Sequence, residues 1–252
     1  MASRLDHLLV ERGLFASREQ AKRAVMAGLV SVDGRRIDKP GVPVGGAAVL
    51  AVAAREPYVS RAGRKLAHAL DHFAVDPAGW ACLDVGASTG GFTDCLLARG
   101  ARRVYALDVG HGQLDARLRR DPRVQVMERV NARHLAADAL PEPCELITVD
   151  VSFISLAKVV PALLPHLARG GPCGPGGCLL ALVKPQFEAG RGAVGKGGIL
   201  RDEALRRQVI EDCARRLAEL DFLEPAGDPF DSPVAGSGGN REAFVLLRRR
   251  AR

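Results

Sequence analysis

Apolar residues recur along this chain at two periods, and the place where one gives way to the other divides it. Leu5, Leu8 and Leu9 form a helical stripe that ends near Gly13. Ser17-Arg18-Glu19-Gln20 then has the form of a capping box, and the helix it opens carries Ala21, Ala24 and Val25 on one side. Gly28 follows as a helix stop. Alternating apolar residues next flank Asp33-Gly34, a strong hairpin signal, and a short strand over 49–52 closes the region. Residues 1–54 thus read as one small α+β unit of two helices and a hairpin. Pro57 disfavours helix at Glu56, and residues 55–64 read as a linker. Leu66, Ala67, Leu70 and Phe73 return to helical spacing.

From residue 80 the pattern becomes strands alternating with helices. The strands are expected over 81–85, 104–108, 124–127, 146–150, 178–184, 222–225 and 243–247, and the main helices over 92–99, 156–167 and 202–220. Short, continuously apolar strands joined by crossover helices imply a parallel sheet buried on both faces. Residues 65–252 are therefore expected to form an α/β, Rossmann-like domain: a mostly parallel seven-stranded sheet flanked by helices. Loops 170–177 and 190–198 are rich in glycine.

Composition adds a partner to this picture. Of 252 residues, 47% are hydrophobic but only 4% aromatic, so the core must be mostly Ala, Val and Leu. The net charge of +7 is unevenly spread: residues 1–65 hold 12 Lys and Arg against 6 Asp and Glu, and the remainder holds 24 against 23. A basic first quarter points to a polyanion, most often nucleic acid. The six cysteines make no CxxC pair and read as buried free thiols, consistent with a reducing cytoplasm. No metal site is expected. No apolar N-terminal leader and no apolar run of about 18 residues is visible, so neither secretion nor a membrane span is expected.

The most informative segment runs from Leu83 to Phe92, LDVGASTGGF. A strand ends at Asp84, a glycine loop follows, and a helix begins near Phe92. The next strand ends in Asp108, 22 residues after Gly86, where a carboxylate can accept hydrogen bonds from both ribose hydroxyls of an adenosine. The loop is neither GxGxxG nor GxxxxGK[ST], which disfavours a dinucleotide or a nucleoside triphosphate. Two further strands end in ionisable residues at the edge where open α/β folds bind ligands: Asp150 after Leu146-Ile147-Thr148-Val149, and Lys184 after Leu179-Leu180-Ala181-Leu182-Val183. A lysine can serve as a proton acceptor where burial and a neighbouring cation weaken its hold on the proton, and Lys184 is the candidate. Lys65 opens the helix before the α/β pattern, and Glu242 precedes the last strand.

Three family resemblances follow. Residues 4–54, with SREQAKRAVMAGLVSVDGRRI and the closing strand, resemble the S4 RNA-binding domain. That likeness implies RNA-backbone contacts through Arg4, Arg18, Lys22 and Arg23, with Arg61 and Arg64 beyond it; contacts of this kind supply affinity and register. The glycine loop resembles that of Rossmann-like methyltransferases, particularly the heat-shock RNA methyltransferases that modify ribose, although Thr89 stands where that group often has proline. It implies S-adenosylmethionine as cofactor, held by Asp84, Gly86, Ala87, Ser88, Thr89, Gly90, Gly91, Phe92, Asp108, Val109, Asn131 and Asp150. Across nearly the whole chain, YVSRAGRKL, LDVGASTGGFTDCLL, ALDVGHGQL, VMERVNARHL, VDVSFISL, LVKPQFEAGR and VGKGGILRD resemble the TlyA, or hemolysin A, family of rRNA 2′-O-methyltransferases.

The last resemblance implies transfer of a methyl group to a cytidine 2′-hydroxyl in ribosomal RNA, with ribosomal subunits as partners. It implies a Lys-Asp-Lys-Glu tetrad of Lys65, Asp150, Lys184 and Glu242, with Lys184 as base, Lys65 polarising the hydroxyl, and the two acids orienting the lysines. The chain departs from the family at Ala62, where a second glycine is usual, and in the loose pattern of 236–240. Three other readings compete. A membrane-active hemolysin would need a membrane segment. A non-catalytic RNA-binding or ribosome-assembly module would not need the tetrad. A base methyltransferase commonly carries Asn-Pro-Pro-Tyr or a catalytic cysteine where Asp150-Val151-Ser152-Phe153 stands.

Overall fold

A computed structural model of the chain describes residues 2–53, 56–170, 176–190, 194–195, 198–220, 222–236 and 239–250. Cys173 and parts of the 170–177, 190–198 and 236–240 loops lie outside the described residues, as do residue 54, the end of the expected first unit, and residue 55, the start of the expected linker. The chain forms two compact units, Met1–Glu56 and Pro57–Arg252.

The first unit comprises β1 (Ala2–Arg4), α1 (Leu5–Glu11), α2 (Arg18–Met26), β2 (Val30–Val32), β3 (Arg35–Arg36), β4 (Pro43–Gly45) and β5 (Leu50–Val52). Ser17 caps α2 by accepting the amide hydrogen of Gln20 at 3.3 Å, as the capping-box pattern implies. Asp33 and Gly34 both take positive φ (49° and 78°) in the turn joining β2 to β3, the requirement of a tight two-residue hairpin. β5 pairs with β2, and β1 pairs with β4, a two-stranded ribbon with no signal in the sequence pattern. Leu5, Leu8, Leu9, Ala21, Ala24, Val25, Val30 and Val44 form its core.

The second unit comprises α3 (Arg61–His72), β6 (Ala81–Val85), α4 (Gly91–Ala98), β7 (Arg103–Asp108), α5 (Ala116–Arg120), β8 (Val124–Glu128), β9 (Leu146–Val149), α6 (Val160–Leu163), β10 (Cys178–Val183), α7 (Pro185–Glu188), α8 (Glu203–Ala218), β11 (Leu223–Pro225), β12 (Phe230–Asp231) and β13 (Ala243–Arg249). The sheet order is β11-β13-β10-β9-β6-β7-β8. β6 to β10 run parallel, and β13 is antiparallel to β10 and β11. An eighth, two-residue strand, β12, also pairs with β13; it is too short to show in any period. Side chains alternate between the faces. Leu83, Val85, Leu179 and Ala181 pack in one layer, and Cys82, Leu180 and Leu182 pack with α3 and α4 in the other.

Three local expectations change. The helix expected over 156–167 is broken into a 3₁₀ turn (Leu156–Lys158), α6 and a second 3₁₀ turn (Leu164–His166), because Pro161 and Pro165 lack the amide hydrogen that a continuous helix needs. α3 begins at Arg61, so the last four residues of the expected linker are helical. Cys82, Cys95, Cys144 and Cys213 are buried free thiols, and burial pushes those of Cys95, Cys144 and Cys213 up to about 12. Cys178 corrects the reading of all six as free, since it is disulfide-bonded. No helix among the described residues is long and apolar enough to cross a membrane.

Candidate active site

The parallel register brings three strand ends level. Val85 pairs with Val149 on one side and Leu107 on the other, so Gly86, Asp150 and Asp108 follow at one edge of the sheet. Gly86 has φ 86°, and a Cβ there would lie 2.2 Å from the Asp150 carbonyl oxygen. Only glycine lets the loop press against the neighbouring strand end. Asp108 ties the loop down from the other side: Oδ2 accepts from Ser88 N at 2.8 Å and Oδ1 from Gly110 N at 2.6 Å. Each carboxylate oxygen keeps a further acceptor position.

Around these ends lies a cavity of about 520 Å³ whose lining includes Gly86, Ser88, Asp108, Val109, Asn131 and Asp150. Leu107, Val130, Ile154 and Val159 supply apolar wall. Its size suits a nucleoside-sized ligand, and the spare acceptor positions of Asp108 suit ribose hydroxyls, so the residues present fit S-adenosylmethionine. A smaller cavity of about 260 Å³ is lined by Ala87, Thr89, Gly91, Phe92 and Lys184 among others. The two share Gly86, Ser88, Asp150 and Ser152. Asp84, expected among the cofactor residues, faces neither. It is fully buried, and its carboxyl accepts from Thr93 Oγ1 at 2.7 Å and Thr148 Oγ1 at 3.2 Å. Burial pushes it up to about 7, against the pull of the Thr93 hydrogen bond. It ties the end of β6 to α4 on one side and to β9 on the other. Gly90 likewise lines neither cavity; it is the N-cap of α4.

The four tetrad residues form two ion pairs. Lys184 Nζ lies 2.6 Å from Asp150 Oδ1, at an angle short of a hydrogen bond, and donates to Ser152 Oγ at 2.8 Å. Lys65 Nζ donates to Glu242 Oε2 at 2.5 Å. The β10–β13 ladder ends at Val183 opposite Ala243, so Lys184 and Glu242 leave the sheet side by side. The two departures noted in the sequence have local explanations. Ala62 sits in the first turn of α3 after the Ser60 N-cap, where alanine is a good helix former. At Gly236 a Cβ would come 2.3 Å from Glu242 Oε1, so this glycine makes room for the carboxylate.

The basic candidates lie on both units. In the first, Arg4 and Arg18 both reach the buried Asp6, at 3.1 Å each. The Arg4 hydrogen bond is the chief cause that holds the Asp6 carboxyl down at about 2. Both guanidinium groups stay about half exposed. Lys22 lies 3.7 Å from Glu19, and Arg23 borders a groove with Phe15 and Gln20. In the second unit, Arg61 and Arg64 are exposed on α3.

Several residues at the site carry no signal in the sequence pattern. Ser152 holds the Lys184 head-group. Gln113 accepts from Ser88 Oγ at 3.2 Å and lines the larger cavity. Phe153 is 89% exposed at the rim of that cavity. Glu188 is a buried carboxylate beyond the strand end. Only their nearness to Asp150 and Lys184 in the chain marks Ser152, Phe153 and Glu188 out.

A mostly parallel sheet, a glycine loop beneath a nucleoside-sized cavity and an acid closing the next strand define a Rossmann-like methyltransferase. The FtsJ-like methyltransferase family model matches residues 58–249, and the S4 domain model matches residues 3–50. The chain belongs to the FtsJ-like methyltransferases and, within them, to the TlyA family. The 16S/23S rRNA (cytidine-2'-O)-methyltransferase TlyA of Mycobacterium tuberculosis is 46% identical over 248 residues, covering 98% of this chain and 90% of that protein. Hemolysin A of Brachyspira hyodysenteriae is 39% identical over 240 residues, covering 95% of this chain and 97% of that one. A solved structure from Streptococcus thermophilus, described as a hemolysin, is 42% identical with a TM-score of 0.74, covering 98% of this chain and 88% of that one.

Proposed function

We propose that this methyltransferase transfers the methyl group of S-adenosylmethionine to a ribose 2′-hydroxyl of a cytidine in ribosomal RNA, with Lys184 as the base. The observation that carries this reading is the position of the Lys184 head-group, pinned by Asp150 and Ser152 where the larger and smaller cavities meet. The activity for which the Mycobacterium tuberculosis relative is named, rRNA cytidine 2′-O-methylation, supports the substrate.

Bound S-adenosylmethionine supplies an electrophilic methyl group whose leaving group is a neutral thioether. Asp108 would accept hydrogen bonds from the cofactor ribose, and Asn131, which lines the same cavity, would lie on the adenine side. Gly86, Ala87, Ser88, Thr89, Gly91 and Phe92 would hold the remainder. Lys184 first gives up one ammonium proton to solvent; the neutral amine then takes the 2′-hydroxyl proton as that oxygen attacks, while Asp150 and Ser152 fix where Nζ points. Lys65 polarises the hydroxyl, and Glu242 orients Lys65. Holding both partners in line is where much of the barrier reduction arises. The exposed Phe153 ring, tilted 46° against Phe187 at a centroid distance of 4.9 Å, offers a face for the splayed-out base. Arg4, Arg18, Lys22 and Arg23, with Arg61 and Arg64, contact the RNA backbone and give salt-dependent affinity.

The test is incubation with methyl-labelled S-adenosylmethionine and unmethylated ribosomal subunits. The expected label enters RNA at a phosphodiester that resists alkaline cleavage, because a blocked 2′-oxygen cannot attack its phosphate. Label in RNA that remains alkali-cleavable moves the acceptor to a base and contradicts the proposal.

A further inference from the structure

Beyond Asp150 the chain turns outward in a disfavoured conformation. Phe153 has φ 64°, left-handed backbone that a bulky side chain adopts only when its surroundings enforce it. Its own ring is exposed and touches Phe187 alone among the rings of the described residues. Two residues further on, Glu188 closes the loop. Its Oε2 accepts from Ser155 Oγ at 2.7 Å, and its Oε1 accepts from Leu156 N at 2.7 Å. Arg216 of α8 donates to Oε2 at 3.3 Å, which fixes the carboxylate against rotation. This side chain is only 2% exposed.

Two arms therefore leave the neighbouring parallel strands β9 and β10 and are closed at both ends. At the near end Lys184 meets Asp150 and Ser152. At the far end Glu188 meets Ser155 and Leu156. Phe153 and Phe187 lie between. We infer that Glu188 is a positioning residue for methyl transfer: its carboxylate locks the 152–156 loop so that Ser152 holds Lys184 and Phe153 presents its ring to the target nucleotide. The inference rests on the reaction proposed above. Without the carboxylate, the Ser155 hydroxyl and Leu156 amide lose their partner. Phe153 is then free to relax toward negative φ, and Ser152 moves with it. Lys184 Nζ then loses one of the two groups that aim it.

The test uses the full chain with Glu188→Ala and Glu188→Gln. The single-turnover rate on ribosomal subunits is expected to fall about 30-fold in Glu188→Ala and the RNA half-saturation concentration to rise, since small misplacements of a reacting group are costly. Cofactor affinity by calorimetry falls by less than the rate, since Ile154 of the same loop walls the cofactor cavity, and the retained binding separates this effect from a collapsed fold. Glu188→Gln recovers part of the rate, because the amide oxygen still accepts one hydrogen bond. In a Phe153→Ala background, Glu188→Ala loses well under its full effect, because both act through one loop.

A second readout needs no methylation. In Trp80→Phe/Phe153→Trp the indole reports on the loop alone, and adding Glu188→Ala is expected to lower its anisotropy. Wild-type rates in Glu188→Ala, or strict additivity with Phe153→Ala, overturn the inference. A mobilised indole in a protein whose wild type methylates no ribose overturns the reaction and upholds the lock. An unmoved indole overturns the lock itself.

Discussion

Lys65–Glu242 and Lys184–Asp150 are the same chemical pair at nearly the same distance, 2.5 and 2.6 Å, yet their surroundings differ. The first is sealed: Lys65 and Glu242 side chains are 10% and 4% exposed, and Gly236 closes over the carboxylate. Its partner pair is more open, 13% and 17% exposed, and borders a cavity with a hydroxyl as additional partner. A sealed ion pair is costly to leave half-made, because a lone buried charge has nothing to neutralise it. A pair at a cavity wall can exchange its partner for a substrate. On the proposed reaction, the comparison puts the larger structural share on Lys65–Glu242 and the proton transfer on Lys184–Asp150.

The largest expected effect breaks the comparison on its chemical side. Lys184→Ala should slow single-turnover methyl transfer by about 10²–10⁴-fold, the range for loss of a general base, with cofactor affinity little changed. Lys184→Arg should not restore it, since a guanidinium does not give up its proton. On the structural side, Glu242→Ala should destabilise the fold by about 3–5 kcal/mol, as expected when one partner of a buried pair is removed. Asp150→Asn should cost about 1 kcal/mol, because the remaining lysine reaches water and Ser152. Thermal and denaturant unfolding compare the two; equal losses would erase the distinction.

A third expectation concerns Asp84, the buried acid beneath the glycine loop. Its folded value of about 7 lies above the ordinary 3.8, so the folded state holds the extra proton between those limits. Stability from this group is full below about pH 4 and declines as pH rises toward 7. Asp84→Asn should flatten that decline in Tm while preserving the Thr93 and Thr148 contacts in part. The smallest effects belong to the first unit. Asp6, held at about 2 chiefly by Arg4, contributes stability above its ordinary 3.8 that is lost as pH falls toward 2. Asp6→Asn should remove that acid-range loss. Lys22→Ala should weaken RNA binding by less than about tenfold and reduce the salt slope by about one.

What the sequence shows of this site depends on where each residue sits. Asp108, Asp150 and Lys184 are legible because each closes a short apolar strand, and strand ends in a parallel sheet meet at one edge. The α2 cap and the Asp33-Gly34 turn are legible because their chemistry is local. The Leu156–His166 region misleads because its apolar spacing is helical while Pro161 and Pro165 forbid one helix. Glu242 is obscured by the irregular loop before it, whose glycine serves the carboxylate. Glu188 and Ser152 are silent, because their partners lie about 30 positions away across two strand ends. Contacts of that kind have no period. Asp84 shows the opposite error: its place in the loop motif suggests a cofactor contact, while strand alternation turns it into the helix-facing layer.

The account turns on Lys184, and the pH dependence of the single-turnover rate tests it most directly. Wild-type protein with saturating cofactor and ribosomal subunits should show a rate that rises with unit slope as pH increases and then levels. In Lys184→Ala the residual rate should be lower throughout and should not reproduce the wild-type curve. A wild-type profile retained in Lys184→Ala, or a rate within a few fold of wild type, would contradict the assignment of the base.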